Sequence, residues 1–102
     1  MGKFEALVII VNEGYSDKVM NIAREHGARG GTISNARGTA TKDMEHKYGI
    51  VITPQKEMIY IILETKIKDK VMLEINKECG IDTAASGLIF SIPISNVSGI
   101  AE

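Results

Sequence analysis

The chain has 102 residues, of which 44% are hydrophobic and 25% charged, with a formal net charge of −1. That length gives one domain with enough apolar side chains for its own core, so no metal or disulfide staple is required. The near-neutral balance excludes the basic surface of a nucleic-acid binder, and no apolar run approaches the roughly 20 residues of a membrane helix.

The single cysteine, Cys79, excludes an internal disulfide and suits a reducing compartment. Glu5 stands where a signal peptide would be apolar, and Ala6 where a myristoylation signal has Ser or Thr. The expected location is the cytoplasm.

Lys3 to Val11 is an almost unbroken apolar, β-branched run and predicts the first strand. Asn12 to Gly14 breaks it. Ser16 then offers an N-cap with Asp17 in the first turn, and Val19, Ile22 and Ala23 form a helical stripe that ends at Gly27. Arg29 to Arg37 reads as a polar second strand. Gly38 to Pro54 carries few periodic signals and predicts a long flexible loop, a feature that is usually functional in a compact domain. "EMIYIILE", Glu57 to Glu64, predicts the third strand. Asp69 is the expected cap of a second helix, with Val71, Ile75 and Cys79 on its inner face and Gly80 beyond its end. Leu88 to Ile94 predicts the fourth strand.

The order βαββαβ over residues 1–102 is that of a single ferredoxin-like α+β sandwich, a four-stranded antiparallel sheet with two helices on one face. In that arrangement the first and third strands are central. Both are apolar on both faces here: Leu7, Ile9 and Val11 alternate with Ala6, Val8 and Ile10, and Ile59, Ile61 and Leu63 with Tyr60 and Ile62. Pro93 falls in a predicted edge strand, where a missing N–H is tolerated. Two helices cover one face only, so the pattern predicts a homo-oligomer whose sheets pack together.

The stretch "GARGGTISNARGTATKD" sets glycines and arginines on both sides of the second strand. Glycines let backbone N–H groups face an anion, and arginine adds bidentate recognition of phosphate or carboxylate. The plainer account is also open: Gly27 caps a helix, Gly30 and Gly31 turn the chain, and Arg29 and Arg37 are solvated. Alternation puts Arg37 on the face of Ile33 and Asn35 and not on that of Thr32. His26, His46 and Cys79 lack ligand spacing, so no metal site is expected. No nucleophile has an adjacent base, and the chain is not read as an enzyme.

"GGTISNARGT", "GLIFSIPISNVSGI" and the opening "FEALVIIV", in this order, resemble the P-II signalling proteins over most of the chain. The resemblance implies a homotrimer with nucleotide sites in the clefts between subunits. It also implies that the loop, the family's T-loop, engages a membrane transporter or a metabolic enzyme. Thr32 and Gly38 match positions along the adenine and ribose, and Gly87 a glycine of the phosphate-facing loop. The nucleotide- or anion-binding candidates are thus Thr32, Arg37, Gly38, Ser86 and Gly87, with ATP, ADP or AMP as ligand and no resident cofactor. Ser86 and Gly87 serve equally as a plain turn. In the loop, Thr39, Lys42, His46, Lys47 and Tyr48 are the candidate partner contacts. Tyr48 resembles a loop tyrosine that some members carry as a modification site, but "EHKYGIV" departs from that site.

Four positions diverge from the family pattern. Ala85 and Leu88 stand where the phosphate loop has a glycine and a lysine, and Gly99 and Ala101 where two arginines follow the last strand. The leading expectation is a regulator sensing a small anionic effector. The alternatives are a trimeric interaction module without a nucleotide and a metal-responsive trimer resembling the divalent-ion tolerance proteins.

Overall fold

The computed structural model describes residues 3–39 and 54–100. Its elements are β1 (Phe4–Asn12), α1 (Ser16–Glu25), β2 (Thr32–Arg37), β3 (Gln55–Glu64), α2 (Thr65–Cys79) and β4 (Leu88–Pro93). The four strands form one antiparallel sheet in the order β2-β3-β1-β4, so the two apolar strands are central and the short polar and proline-bearing strands are edges. This is the ferredoxin-like sandwich that the sequence predicts.

Both helices cover the same face. Leu7, Ile9 and Val11 of β1 and Ile59, Ile61 and Leu63 of β3 are buried beneath Val19, Ile22 and Ala23 of α1 and Val71, Ile75 and Cys79 of α2. Fully burying each large aliphatic side chain contributes about 1.5–3 kcal/mol, which makes this layer the main source of stability. Burial pushes the Cys79 thiol pKa up, so Cys79 behaves as a small apolar residue.

The other face has no helix. Val8 lies between Tyr60 and Phe90 in the register and is only 4% exposed, shielded by its cross-strand neighbours. Around it Tyr60, Phe90, Ile92 and Leu88 are 37%, 39%, 46% and 56% exposed. An apolar band therefore runs across the uncovered side of the sheet.

Two helix starts differ from expectation. Ser16 is the first residue of α1 and not its cap: Tyr15 holds that position without a side-chain cap bond. The cap comes from β3, where Glu57 Oε1 accepts from the N–H groups of Gly14 (2.9 Å) and Ser16 (3.2 Å). α2 begins at Thr65, four residues before Asp69, directly from the end of β3. The Thr65 N–H is satisfied by the Lys3 carbonyl at 2.9 Å, while Asp69 instead pairs with Lys68. β2 is shorter than expected because residues 29–31 lie outside the ladder, and β4 stops at Pro93, one residue early.

Burial opposes ionisation of Glu57, but the bonds from Gly14, Ser16 and Tyr15 outweigh it and hold its pKa below the ordinary glutamate range. A depressed folded pKa contributes stability above the unfolded pKa, and that contribution is lost as the pH falls toward the folded value. Glu57→Ala is expected to lower unfolding free energy at neutral pH by about 1–2 kcal/mol, the cost of a lost helix cap. Urea titrations on acidification should show the difference between wild type and variant shrinking.

Candidate functional site

The candidate residues gather at two opposite ends of the sheet. At the start of β2, Arg29, Gly30, Gly31 and Thr32 line a cleft of about 390 Å³, together with Tyr60, Ile62, Gly99 and Ile100. Gly31 is required by close approach: a Cβ there would lie 2.9 Å from the Tyr60 carbonyl oxygen and 3.0 Å from Met20 Sδ. Thr32 pairs with Tyr60 and so belongs to the uncovered face. The segment after β4 crosses the end of the sheet and brings Gly99 and Ile100 to this cleft. A smaller hollow of about 240 Å³ shares Arg29, Ile62 and Ile100 with it.

The second cluster lies at the far end of β2, six residues on, or about 20 Å along an extended chain. The Gly38 N–H donates to the Pro54 carbonyl at 2.6 Å, so the segment between them leaves and returns at one point. Beneath Gly38 runs Lys56, whose Cε would lie 2.9 Å from a Cβ at that glycine. Lys56 Nζ donates to Asn12 Oδ1 at 2.5 Å, and Asn12 Nδ2 donates to the Ala84 carbonyl at 2.9 Å. The Asn12 N–H reaches the Ala85 carbonyl at 2.8 Å, tying the turn before β4 to the end of β1. Burial lowers the Lys56 pKa, and no carboxylate among the described residues pairs with it.

The structure accounts for Ser86 and Gly87 through packing. Ser86 adopts a left-handed φ of 50°, and its N–H is committed to the Thr83 carbonyl at 2.9 Å. At Gly87 a Cβ would collide with the carbonyl of Cys79 at the end of α2. Arg37 pairs with Gln55 in the register and shares the helix-side parity of Ile33 and Asn35, as alternation predicts. Gly38 on one edge and Ser86 and Gly87 on the other thus lie at one end of the sheet, Thr32 lies at the opposite end, and Arg37 points to the opposite side from Thr32. Thr39 is exposed, and Lys42, His46, Lys47 and Tyr48 lie outside the described residues. Among the described residues no three His, Cys, Asp or Glu side chains gather as metal ligands.

Lys56 and Asn12 are the site residues that sequence reasoning missed. Lys56 reads as one charge at a strand start and Asn12 as a turn residue. Only the β1–β3 register, which sets them opposite one another, reveals the pair.

An antiparallel βαββαβ sandwich with both helices on one face defines a class, the ferredoxin-like fold. Within that class, residues 4–102 match the model of the nitrogen regulatory protein P-II family, and the chain belongs to that family. No curated protein matches it. Among solved structures it is similar to Arabidopsis thaliana PII bound to citrate, with 22% identity, a TM-score of 0.73, and coverage of 98% of this chain and 82% of that one. A putative PII-like signalling protein from Thermus thermophilus shares 14% identity at a TM-score of 0.63, over 89% and 87% of the two chains. A DUF3240 family protein from Shewanella baltica shares 13% identity at a TM-score of 0.72, over 99% and 100%. At these identities the structures show the shared fold, and the family match supports a signalling or regulatory role.

Gly87→Ala is expected to cost at least about 2 kcal/mol, since the obstructing atom is backbone and cannot move aside. Ser86→Gly should stay within about 1 kcal/mol of wild type, because glycine tolerates the left-handed conformation. Chemical denaturation of the two variants checks both values.

Proposed function

We propose that the protein is a homotrimeric P-II regulator that senses a small anionic effector, an adenine nucleotide, in the crevices between subunits. In this reading it controls a membrane transporter or a metabolic enzyme through the segment from Gly38 to Pro54. The carrying observation is that the two candidate clusters share the uncovered face yet stand at opposite ends of it. One small molecule cannot touch both in a single chain. Two copies packed through the apolar band bring the Thr32 end of one against the Lys56 end of the next.

Each end supplies different chemistry. Tyr60, Ile62 and Ile100 offer apolar surface for a planar base beside the Thr32 hydroxyl. Lys56 offers the positive charge that Leu88 does not, and the Ala84–Gly87 turn sits beside it. In this reading Thr39, Lys42, His46, Lys47 and Tyr48 make the partner contacts, and the bond between Gly38 and Pro54 beside Lys56 supports it. The role is regulatory and non-catalytic, in the cytoplasm.

A second reading, a trimeric interaction module without an effector, draws on one observation. Leu88 is largely exposed at the position where the family pattern has a lysine, and a charged phosphate contact is worth about 1.5–3 kcal/mol.

Light scattering should give three times the chain mass, and Phe90→Glu should shift it to monomer by placing a charge in the apolar band. Isothermal titration with ATP, ADP, AMP and citrate should show binding of at least one. Lys56→Met should weaken that binding by roughly tenfold to a hundredfold. A trimer silent to all four ligands favours the interaction module, and a monomer overturns both readings.

A further inference from the structure

We infer that Asn12 is the positioning residue that keeps the Lys56 charge unpaired among the described residues, and thereby decides that this end of the sheet accepts an anion. The inference deepens the proposed function and rests on it for the identity of the ligand.

Among the described residues only Asn12 and Ser16 are buried polar residues, and each is 7% exposed. A buried amide is costly unless its donor and its acceptor are both satisfied. Asn12 meets that condition with two partners of opposite kind. Its Oδ1 faces an ammonium, which can only donate, and its Nδ2 faces the Ala84 carbonyl, which can only accept. The orientation of the amide is therefore fixed by its surroundings.

Aspartate is nearly the same shape but could not serve. One of its oxygens would suit Lys56, while the other would face the Ala84 carbonyl with no hydrogen to share. It would also neutralise the ammonium. Glu57, the neighbouring carboxylate in sequence, points to the other face of β3, where it holds the N–H groups of Gly14 and Ser16. Lys56 is thus oriented by a neutral group, partly desolvated, and left with its charge unmatched among the described residues. Such a cation attracts an anion more strongly than a solvated one.

The same side chain joins two segments. Asn12 holds Lys56, which underlies Gly38, and it holds Ala84 in the turn before β4. An anion that draws the ammonium away leaves Oδ1 without its donor, so occupancy at Lys56 is felt at the Ala84–Gly87 turn through one amide.

The experiment compares wild type with Asn12→Asp and Asn12→Ser, each shown to be folded by circular dichroism, in titrations with ATP. Asn12→Asp should weaken binding at least about tenfold, because it pairs the charge. Asn12→Ser, which leaves the charge unpaired but no longer holds it in place, should weaken binding too, but at least about threefold less than Asn12→Asp does. Equal affinity in wild type and Asn12→Asp overturns the inference, as does a serine variant as weak as the aspartate one. If wild type ignores ATP, the nucleotide reading fails and acetylation of Lys56 by acetic anhydride, followed by mass spectrometry, decides about Asn12 alone. Slowing by about tenfold in Asn12→Asp supports the inference, since a paired ammonium yields less free amine, and equal rates overturn it.

Discussion

A β-strand sends successive side chains to opposite sides, so a strand apolar at every position needs two apolar layers. The centres of β1 (Ala6 to Val11) and β3 (Met58 to Leu63) are such runs, and α1 and α2 provide one layer only. Everything else in the molecule is arranged around that imbalance. The two greasy strands pair with each other along nine positions and occupy the centre. The six-residue strands take the edges, where Pro93 and the polar face of β2 do least harm. On the uncovered side, Tyr60 and Phe90 flank Val8 and hide it almost completely, a partial remedy achieved by side chains of the same sheet.

Polar groups are consequently driven to the two ends of the sheet. At one end β3 and α2 meet without a loop, the segment after β4 returns across the sheet, and Gly31 admits close backbone contact. At the other, residues 56 and 57 of β3 act on opposite faces in succession. Lys56 reaches Asn12 on the open side, and Glu57 reaches the start of α1 on the helix side. The return of the chain from the long segment is thereby fastened through both faces within two residues. Alternation supplies that double fastening without lengthening the chain.

The sequence made the layers legible and left the fastenings hidden. The stripes of Leu7, Ile9 and Val11 and of Val71, Ile75 and Cys79 report burial locally, so strand order and covered face followed from them. Arg37 was placed correctly relative to Thr32 by parity alone. The start of α2 was misread because Asp69 looks like a cap, whereas the Thr65 N–H is satisfied by Lys3, sixty-two residues earlier in the chain. Ser16 misled for the same reason, its N–H being satisfied by Glu57 from another strand. Capping rules describe short-range partners, and here the partners are tertiary. Asn12 and Lys56 were invisible because each has an ordinary residue type in an ordinary place. Their meaning arises only from the register that opposes them.

The glycines divide along the same line between packing and chemistry. Gly87 is fixed by the carbonyl of Cys79 and Gly31 by that of Tyr60, so both glycines are explained before any ligand is considered. Gly38 differs, because its neighbour is the stem of Lys56, a flexible chain that can yield. A side chain added there would press on the lysine and not on backbone. What distinguishes this end of the sheet is therefore a lysine with a flexible stem whose ammonium is held by one neutral amide, set among close backbone contacts.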